Sequence, residues 1–101
     1  MKIEILGTQI ELTEAIKAYV NEKIGGLEKY FDKILEARVE VGMTTHHHQK
    51  GDIFRAEVNL VVPKTLIRAE AVSDDLYKAI NEVKENLKIE INKYKEKMRG
   101  E

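Results

Sequence analysis

The chain has 101 residues, of which 43% are hydrophobic and 35% are charged, and it contains no cysteine. This length is typical of one domain with a single core, and the absence of cysteine excludes disulfide bridges, zinc ribbons and thiol catalysis. Because 17 Lys and Arg oppose 18 Asp and Glu, a nucleic-acid partner would have to recognise the arrangement of the charges and not their sum.

The N-terminal third predicts a strand followed by a helix. Residues 2–6 alternate charged and apolar side chains and are followed by a glycine, which is typical of a short strand with one buried face. Thr13 is a suitable N-cap for a helix that we expect to run to about Phe31. Gly25 and Gly26 interrupt this helix, so we expect its last third to be weakened or bent.

The centre of the chain alternates with a period of two, which predicts three further strands. Residues 37–43 form the first of them, and the polar segment 44–51 predicts a loop. Residues 54–62 form the longest strand, which Pro63 ends because proline has no N–H to donate to a ladder. Residues 67–71 form the last strand.

The C-terminal third predicts a long amphipathic helix. We expect Ser73 to be its N-cap, while Asp74 and Asp75 suit the positive end of the helix dipole. Apolar residues then recur every three or four positions over about six turns. They are Leu76, Ile80, Val83, Leu87, Ile91, Tyr94 and Met98.

The resulting order of elements is β-α-β-β-β-α, which predicts an α+β fold. In three of the four strands an apolar face opposes a face rich in Glu, Arg and Asn. Both helices are therefore expected on the apolar face, and Arg and Glu are expected to pair across strands on the other face.

No segment of the sequence has the pattern of a membrane span or a targeting signal. The longest apolar runs, such as residues 58–62, are far shorter than the roughly 20 residues that cross a bilayer. Met1 leads directly into the first strand, without the apolar run of a signal peptide. We therefore expect a cytoplasmic protein with no membrane partner.

The chain contains no recognisable catalytic motif. Helix capping explains the only serine, and there is no nucleophile elbow, P-loop or dinucleotide-binding fingerprint. His46, His47 and His48 could ligate a metal, but only His46 and His48 converge in an extended segment. We therefore expect no enzyme, no cofactor, no small-molecule substrate and no metal site. Loop polarity explains the histidines, and contact with RNA phosphates is the alternative.

The second predicted helix has a basic edge beside its apolar stripe, within an arc of about 60°. This edge consists of Lys84, Lys88, Lys95 and Arg99. Either it binds RNA, or its long side chains flank the core and complement the helix dipole. In the first helix Lys23 falls within the apolar stripe, so it either extends to solvent or contacts a ligand. Tyr30 and Phe31 continue that stripe and are expected in the core.

Several short segments match one known family in the same order along the chain. They are Ile5-Leu6-Gly7, Thr13-Glu14-Ala15, Leu27-Glu28-Lys29-Tyr30-Phe31-Asp32, Ala56-Glu57-Val58, Arg68-Ala69-Glu70 and Ser73-Asp74-Asp75-Leu76-Tyr77-Lys78-Ala79-Ile80. In these segments the sequence resembles the ribosome hibernation-promoting factor and ribosome-associated inhibitor family. The resemblance implies a four-stranded sheet with two roughly parallel helices on one face, similar to a double-stranded-RNA-binding domain.

The resemblance also implies a translation inhibitor that acts by occupancy. Members of the family bind the small ribosomal subunit and its rRNA, and they block the mRNA and tRNA channel at the decoding region. For this chain it implies a single ribosome-binding domain over residues 1–101, a short form or an N-terminal domain. Family positions that commonly carry basic residues are occupied here by Lys17, Lys23, Lys29, Lys93, Lys95 and Lys97.

The sequence departs from the family pattern at several positions that are typically basic. These positions carry Gly26, Asn86, Ile89 and Asn92. We expect Lys84, Lys88 and Arg99 to replace the missing cations, which adds them to the predicted RNA-binding residues. The alternative is a protein-interaction module of the same fold that has lost affinity for rRNA and forms a weak homodimer through Ile89.

Overall fold

The computed structural model describes residues 1–44 and 53–100. The elements appear in the predicted order. They are β1 (Lys2–Thr8), α1 (Glu14–Gly25), β2 (Glu36–Met43), β3 (Phe54–Val62), β4 (Thr65–Ser73) and α2 (Leu76–Gly100). A 3₁₀ turn over Gly26–Lys29 follows α1. The predicted α+β fold is confirmed.

The four strands form one mixed sheet in the order β1-β2-β3-β4. The pairs β2–β3 and β3–β4 are antiparallel, whereas β1 and β2 are parallel because α1 connects them as a crossover. Gly42 of β2 lies opposite Thr8 of β1, and a Cβ atom at this position would overlap the carbonyl oxygen of Thr8. Only glycine therefore fits this position without a shift of one of the two strands.

Both helices pack on the same face of the sheet, as predicted. Val20 and Ile24 of α1 share one buried cluster with the inward-facing strand residues and with the apolar stripe of α2. That stripe is buried only as far as Ile91. Tyr94 is half-buried and its hydroxyl donates to the carbonyl of Pro63 (2.9 Å), at the turn that ends β3. Met98 lies one turn further, beyond the sheet, and is exposed.

The first helix is shorter than expected. Its N-cap is confirmed, because the hydroxyl of Thr13 accepts a hydrogen bond from the backbone N–H of Ile16 (3.1 Å). The helix ends at Gly25 and not near Phe31. The two glycines are poor helix formers, and the backbone tightens into the 3₁₀ turn there.

The predicted N-cap of α2 is wrong by two residues. Ser73 is the last residue of β4, where it pairs with Phe54 of β3. The carboxylate of Asp75 accepts from the N–H of Lys78 (3.1 Å), which makes Asp75 the capping residue. The hydroxyl of Ser73 accepts from the N–H of Asp75 (3.4 Å) and supports the turn between the two elements.

The outward face of β3 and β4 carries the predicted pairing of Arg and Glu. Glu57 and Glu70 lie directly opposite each other, and each accepts hydrogen bonds from both Arg55 and Arg68. Desolvation raises the pKa of Glu57, but the hydrogen bonds from Arg68 and Arg55 together lower it below its ordinary value. The pKa of Arg55 is raised, and the hydrogen bond to Glu70 is the largest cause.

Two further expectations concern a membrane span and a metal site. None of the helices in the described ranges combines the length and hydropathy needed to cross a membrane. Within the same ranges there is no cluster of three or more metal-ligating side chains. His46, His47 and His48 lie outside the described residues, as does most of the predicted loop over 44–51.

Candidate nucleic-acid interface

The two helices meet through an aromatic pair near their N-terminal halves. The rings of Tyr19 on α1 and Tyr77 on α2 pack edge to face, with their centroids 4.9 Å apart. Lys23 follows Tyr19 by one helical turn, and its ammonium lies 5.4 Å from the centroid of that ring. Lys23 is half-buried, so its stem covers apolar surface on the side of α1 that faces α2.

Further along, the segment after the 3₁₀ turn docks on the C-terminal half of α2. The ring of Phe31 packs edge to face on Tyr94, with centroids 5.3 Å apart. The ammonium of Lys95 donates to the backbone carbonyl of Tyr30 (2.8 Å). These two contacts fix the position of Tyr30 beside α2.

Three lysines from two distant parts of the chain contact Tyr30. The ammonium groups of Lys29 and Lys88 lie 5.5 and 5.3 Å from the centroid of its ring, and Lys95 is bound to its carbonyl. Both distances are within the range of cation–π attraction. Lys84 lies one turn before Lys88 on α2 and is half-buried as well.

We call this group of five side chains the inter-helix basic surface. Its members come from α1, the 3₁₀ turn and α2, on the side where the two helices meet. They are Lys23, Lys29, Lys84, Lys88 and Lys95.

One carboxylate lies among these cations. Glu85 is 3.3 Å from the ammonium of Lys84 and 3.3 Å from that of Lys88. The hydrogen bond from Lys84, followed by that from Lys88, lowers the pKa of Glu85, and the hydrogen bond to Glu85 raises the pKa of Lys88. Lys88 is therefore fully charged at neutral pH. An ammonium has three donors, so these contacts leave N–H groups for anionic oxygens such as those of phosphates.

The other predicted binding residues do not join this surface. Lys93 pairs with Glu90 (3.6 Å), and Lys93 and Lys97 line a groove between α2 and the β4 residues Leu66 and Arg68. They therefore lie on the opposite side of α2 from α1.

The two remaining residues lie apart from the rest. Lys17 pairs with Glu14 (3.6 Å) and lies about 200° around α1 from Tyr19, which marks the side facing α2. Arg99 is exposed in the last turn of α2. The structure thus brings together five of the nine predicted cations.

Tyr30 is the residue at this site that sequence reasoning missed. Its place in the apolar stripe indicated a core residue, but its ring is only partly buried and contacts two ammonium groups. Lys29 is its neighbour in sequence, which was the one local signal. Lys88 lies 58 residues away, and no spacing rule could have connected the two.

Comparison with known proteins identifies the family of this chain. The sequence profile of the family described as "Sigma 54 modulation protein / S30EA ribosomal protein" matches residues 3–99. The chain belongs to this family. The resemblance inferred from the sequence is thereby confirmed.

Two similar proteins are longer bacterial proteins that share a name. The chain is 38% identical over 98 residues to the ribosome hibernation promotion factor of Lactococcus lactis subsp. cremoris, covering 97% of this chain and 51% of the relative. It is 35% identical over 95 residues to the protein of the same name from Staphylococcus aureus, covering 94% and 48%. The chain therefore spans about half the length of these relatives.

Two solved structures share the fold. The crystal structure of the Thermus thermophilus Protein Y N-terminal domain superimposes with a TM-score of 0.78 at 30% identity, covering 93% of this chain and 99% of that one. A ribosomal subunit interface protein from Coxiella burnetii superimposes with a TM-score of 0.81, covering 94% and 98%. At 23% identity the second comparison supports the fold alone.

Proposed function

We propose that residues 1–101 form a single ribosome-binding domain of a cytoplasmic hibernation factor. In this proposal the domain binds the small subunit through its rRNA and blocks the mRNA and tRNA channel at the decoding region. Family membership supports the ribosome as the partner. The observation that carries the mode of binding is the convergence of five lysines on one surface between the two helices.

The charge of this surface suits phosphates better than the opposite face of the domain does. The inter-helix basic surface holds five ammonium groups, two of which pair with the carboxylate of Glu85. On the outward face of the sheet, Arg55 and Arg68 are each paired with two glutamates. Folded RNA is recognised largely through its shape and its phosphates, so the helical side is the one expected to face rRNA.

The proposed mechanism is steric. A domain that occupies the channel excludes mRNA and tRNA without chemistry, so inhibition of a cell-free translation system is expected to be stoichiometric with ribosomes. Inhibition at amounts far below the ribosome concentration would show turnover and would contradict occupancy as the mechanism.

Co-sedimentation with small subunits on sucrose gradients at several salt concentrations tests the binding surface. A variant with Lys23, Lys84 and Lys88 changed to Gln removes three cations of this surface and keeps Lys95, which holds Tyr30. At about 0.7 per phosphate contact, we expect the slope of log K against log salt to flatten by roughly 2. The affinity for small subunits is expected to fall as well.

A matched control removes the same amount of charge elsewhere. Lys2, Arg38 and Lys64 are exposed and lie on β1, on β2 and in the turn before β4. Changing these three to Gln is expected to leave most of the salt slope in place. Equal losses in both triple variants would mean that net charge matters and the inter-helix basic surface does not.

The predicted contacts outside this surface are tested separately. A variant with Lys93 and Lys97 changed to Gln probes the β4 side of α2, and a variant of Lys17 and Arg99 probes the remaining two positions. A large loss of slope in either variant would extend the proposed RNA interface around the helices.

A second candidate function is a protein-interaction module without affinity for rRNA. It is favoured by the exposure of Ile89 on α2, a position at which the family resemblance implies a basic residue. Binding through an apolar surface depends little on ionic strength, whereas phosphate binding weakens steeply. Salt-independent binding, or none, would favour this candidate.

A further inference from the structure

The outer edge of β4 has a sequence that is complementary to itself in one antiparallel register. β4 forms one edge of the sheet, and within residues 1–44 and 53–100 its only strand partner is β3. Because the hydrogen bonds of an antiparallel pair alternate in direction, about half of its backbone N–H and C=O groups are directed away from β3. Such an edge is a template for another strand.

The side chains on the outward face of β4 specify the partner strand. They alternate along the edge as Leu66, Arg68, Glu70 and Val72, with Leu66 52% and Val72 39% exposed. If two copies of β4 pair antiparallel about a two-fold axis at Ala69, Arg68 lies opposite Glu70 of the second copy. Arg68 uses two of its five N–H donors on Glu57 and Glu70 of its own chain, so donors remain for the second carboxylate. Leu66 then lies opposite Val72 in the same way. Opposite charges and apolar side chains therefore meet at every outward position.

Other registers lose this match. A shift by two residues in one direction places Glu70 opposite its own copy, and the shift in the other direction does the same for Arg68. Like charges directly opposite each other destabilise a strand pair. The charges that would discourage pairing with an unrelated strand thus favour a single register with a second copy.

The helical side of the edge is also suited to this arrangement. On that face Ile89 of α2, which is 55% exposed, lines a shallow groove together with Asn86 and Glu90 of the same helix and residues 68–70 of β4. Because this groove surrounds the position of the two-fold axis, the two copies of Ile89 would approach each other across it. The apolar side chain would thus be covered by its own copy.

From these observations we propose that the domain self-associates through β4, forming a symmetric dimer with a continuous eight-stranded sheet. The inter-helix basic surface lies on the other side of α2 and stays open in both copies. The inference does not depend on ribosome binding, and its test uses the isolated chain. Failure of this proposal would leave the proposed function intact.

Sedimentation equilibrium and concentration-dependent NMR shifts up to about 1 mM protein test the proposal. The native chain is expected to show a monomer–dimer equilibrium, with shift changes concentrated on β4 and around Ile89. A single species with the mass of a monomer throughout would overturn the proposal. So would a dimer whose shift changes lie elsewhere.

Exposed positions at the two ends of the register allow a rescue experiment. Leu66→Lys or Val72→Glu alone removes two apolar pairs from the dimer, and each is expected to weaken it on the order of tenfold. The two changes in one chain place Lys opposite Glu at both ends and are expected to restore most of the affinity.

The control is Leu6→Lys on β1, because Leu6 is also exposed on the outward face but lies on the opposite edge strand. It is expected to leave association unchanged. A double variant weaker than both single variants would show general apolar association and would overturn the proposed register. Far-ultraviolet circular dichroism of each variant establishes that the fold is retained.

Discussion

The inter-helix basic surface and the outward face of the sheet use similar charged residues in opposite ways. On the sheet, Arg55 and Arg68 each bind both Glu57 and Glu70, so the cations and carboxylates satisfy one another. Between the helices, cations contact aromatic rings, a backbone carbonyl and one carboxylate. The difference shows that the neighbours of a cation, and not the number of cations, decide whether it is available to a ligand.

The cause of the difference is the geometry of the two surfaces. The register of β3 and β4 places Glu57 directly opposite Glu70, and two like charges in this position require cations beside them. On α2, residues three and four positions apart lie on one side of the helix, so Lys84 and Lys88 form a common edge. The sheet network thus serves the fold, whereas the helical edge keeps donors free.

The largest effect is expected from a substitution at Gly42, where β1 and β2 approach each other closely. Gly42→Ala places a methyl group on the carbonyl oxygen of Thr8, and β1 and β2 must separate locally. We expect a loss of at least about 3 kcal/mol in the free energy of unfolding, measured with urea. Gly26→Ala is the control at the start of the 3₁₀ turn, because its added methyl group meets no atom within 4 Å and its φ is −64°. An equal loss at both positions would contradict the close approach of the strands.

Two lysines of the inter-helix basic surface are expected to differ, by a smaller amount, in their contribution to stability. Lys95→Met leaves the partly buried carbonyl of Tyr30 without this donor, and we expect a loss of about 1–2 kcal/mol in the free energy of unfolding. Lys88→Met removes an exposed ion pair and a ring contact, and we expect no measurable change in stability. Thermal and urea unfolding of the two variants measure this. Equal stabilities would mean that Lys95 does not anchor Tyr30.

The pH dependence of stability probes the sheet network. Because the pKa of Glu57 is lowered in the folded state, its contribution is fully present above its unfolded value of about 4.5 and is lost as the pH falls through the folded pKa. We expect Glu57→Gln to cost about 1 kcal/mol or less near pH 7. At pH 3 the difference in the free energy of unfolding between this variant and the native chain is expected to be smaller, as measured by urea unfolding. A difference that increases on acidification would contradict a lowered pKa of Glu57 in the folded state.

The smallest effect concerns Glu85, whose carboxylate pairs with two lysines of the inter-helix basic surface. Glu85→Gln removes the negative charge beside Lys84 and Lys88, and we expect a few-fold gain in affinity for the small subunit with a steeper salt slope. Glu90→Gln is the matched control, because Glu90 forms the same type of pair with Lys93 on the β4 side of α2. Equal gains in both variants would indicate a general effect of charge and not a local one.

The amino-acid sequence by itself determined the order and type of the elements. Strand alternation and helical periodicity are local properties, so β3 was predicted over its exact range, and the ends of β2 and β1 within one or two residues. The resemblance to the family also rested on local motifs, and it was confirmed. The helix boundaries were less predictable, because Gly25 could interrupt or end a helix and either Ser73 or Asp75 could cap one.

Only the tertiary structure decided which cations lie together. On α2, helical angles placed Lys84, Lys88 and Lys95 on one edge, but nothing local showed that Tyr30 would dock beside them. The resemblance grouped Lys95 with Lys93 and Lys97, which lie on the other side of the helix beside β4. A periodic pattern assigns each residue an angle around its own helix. The packing of other elements decides which neighbouring groups that residue contacts, and this depends on residues far apart in the chain.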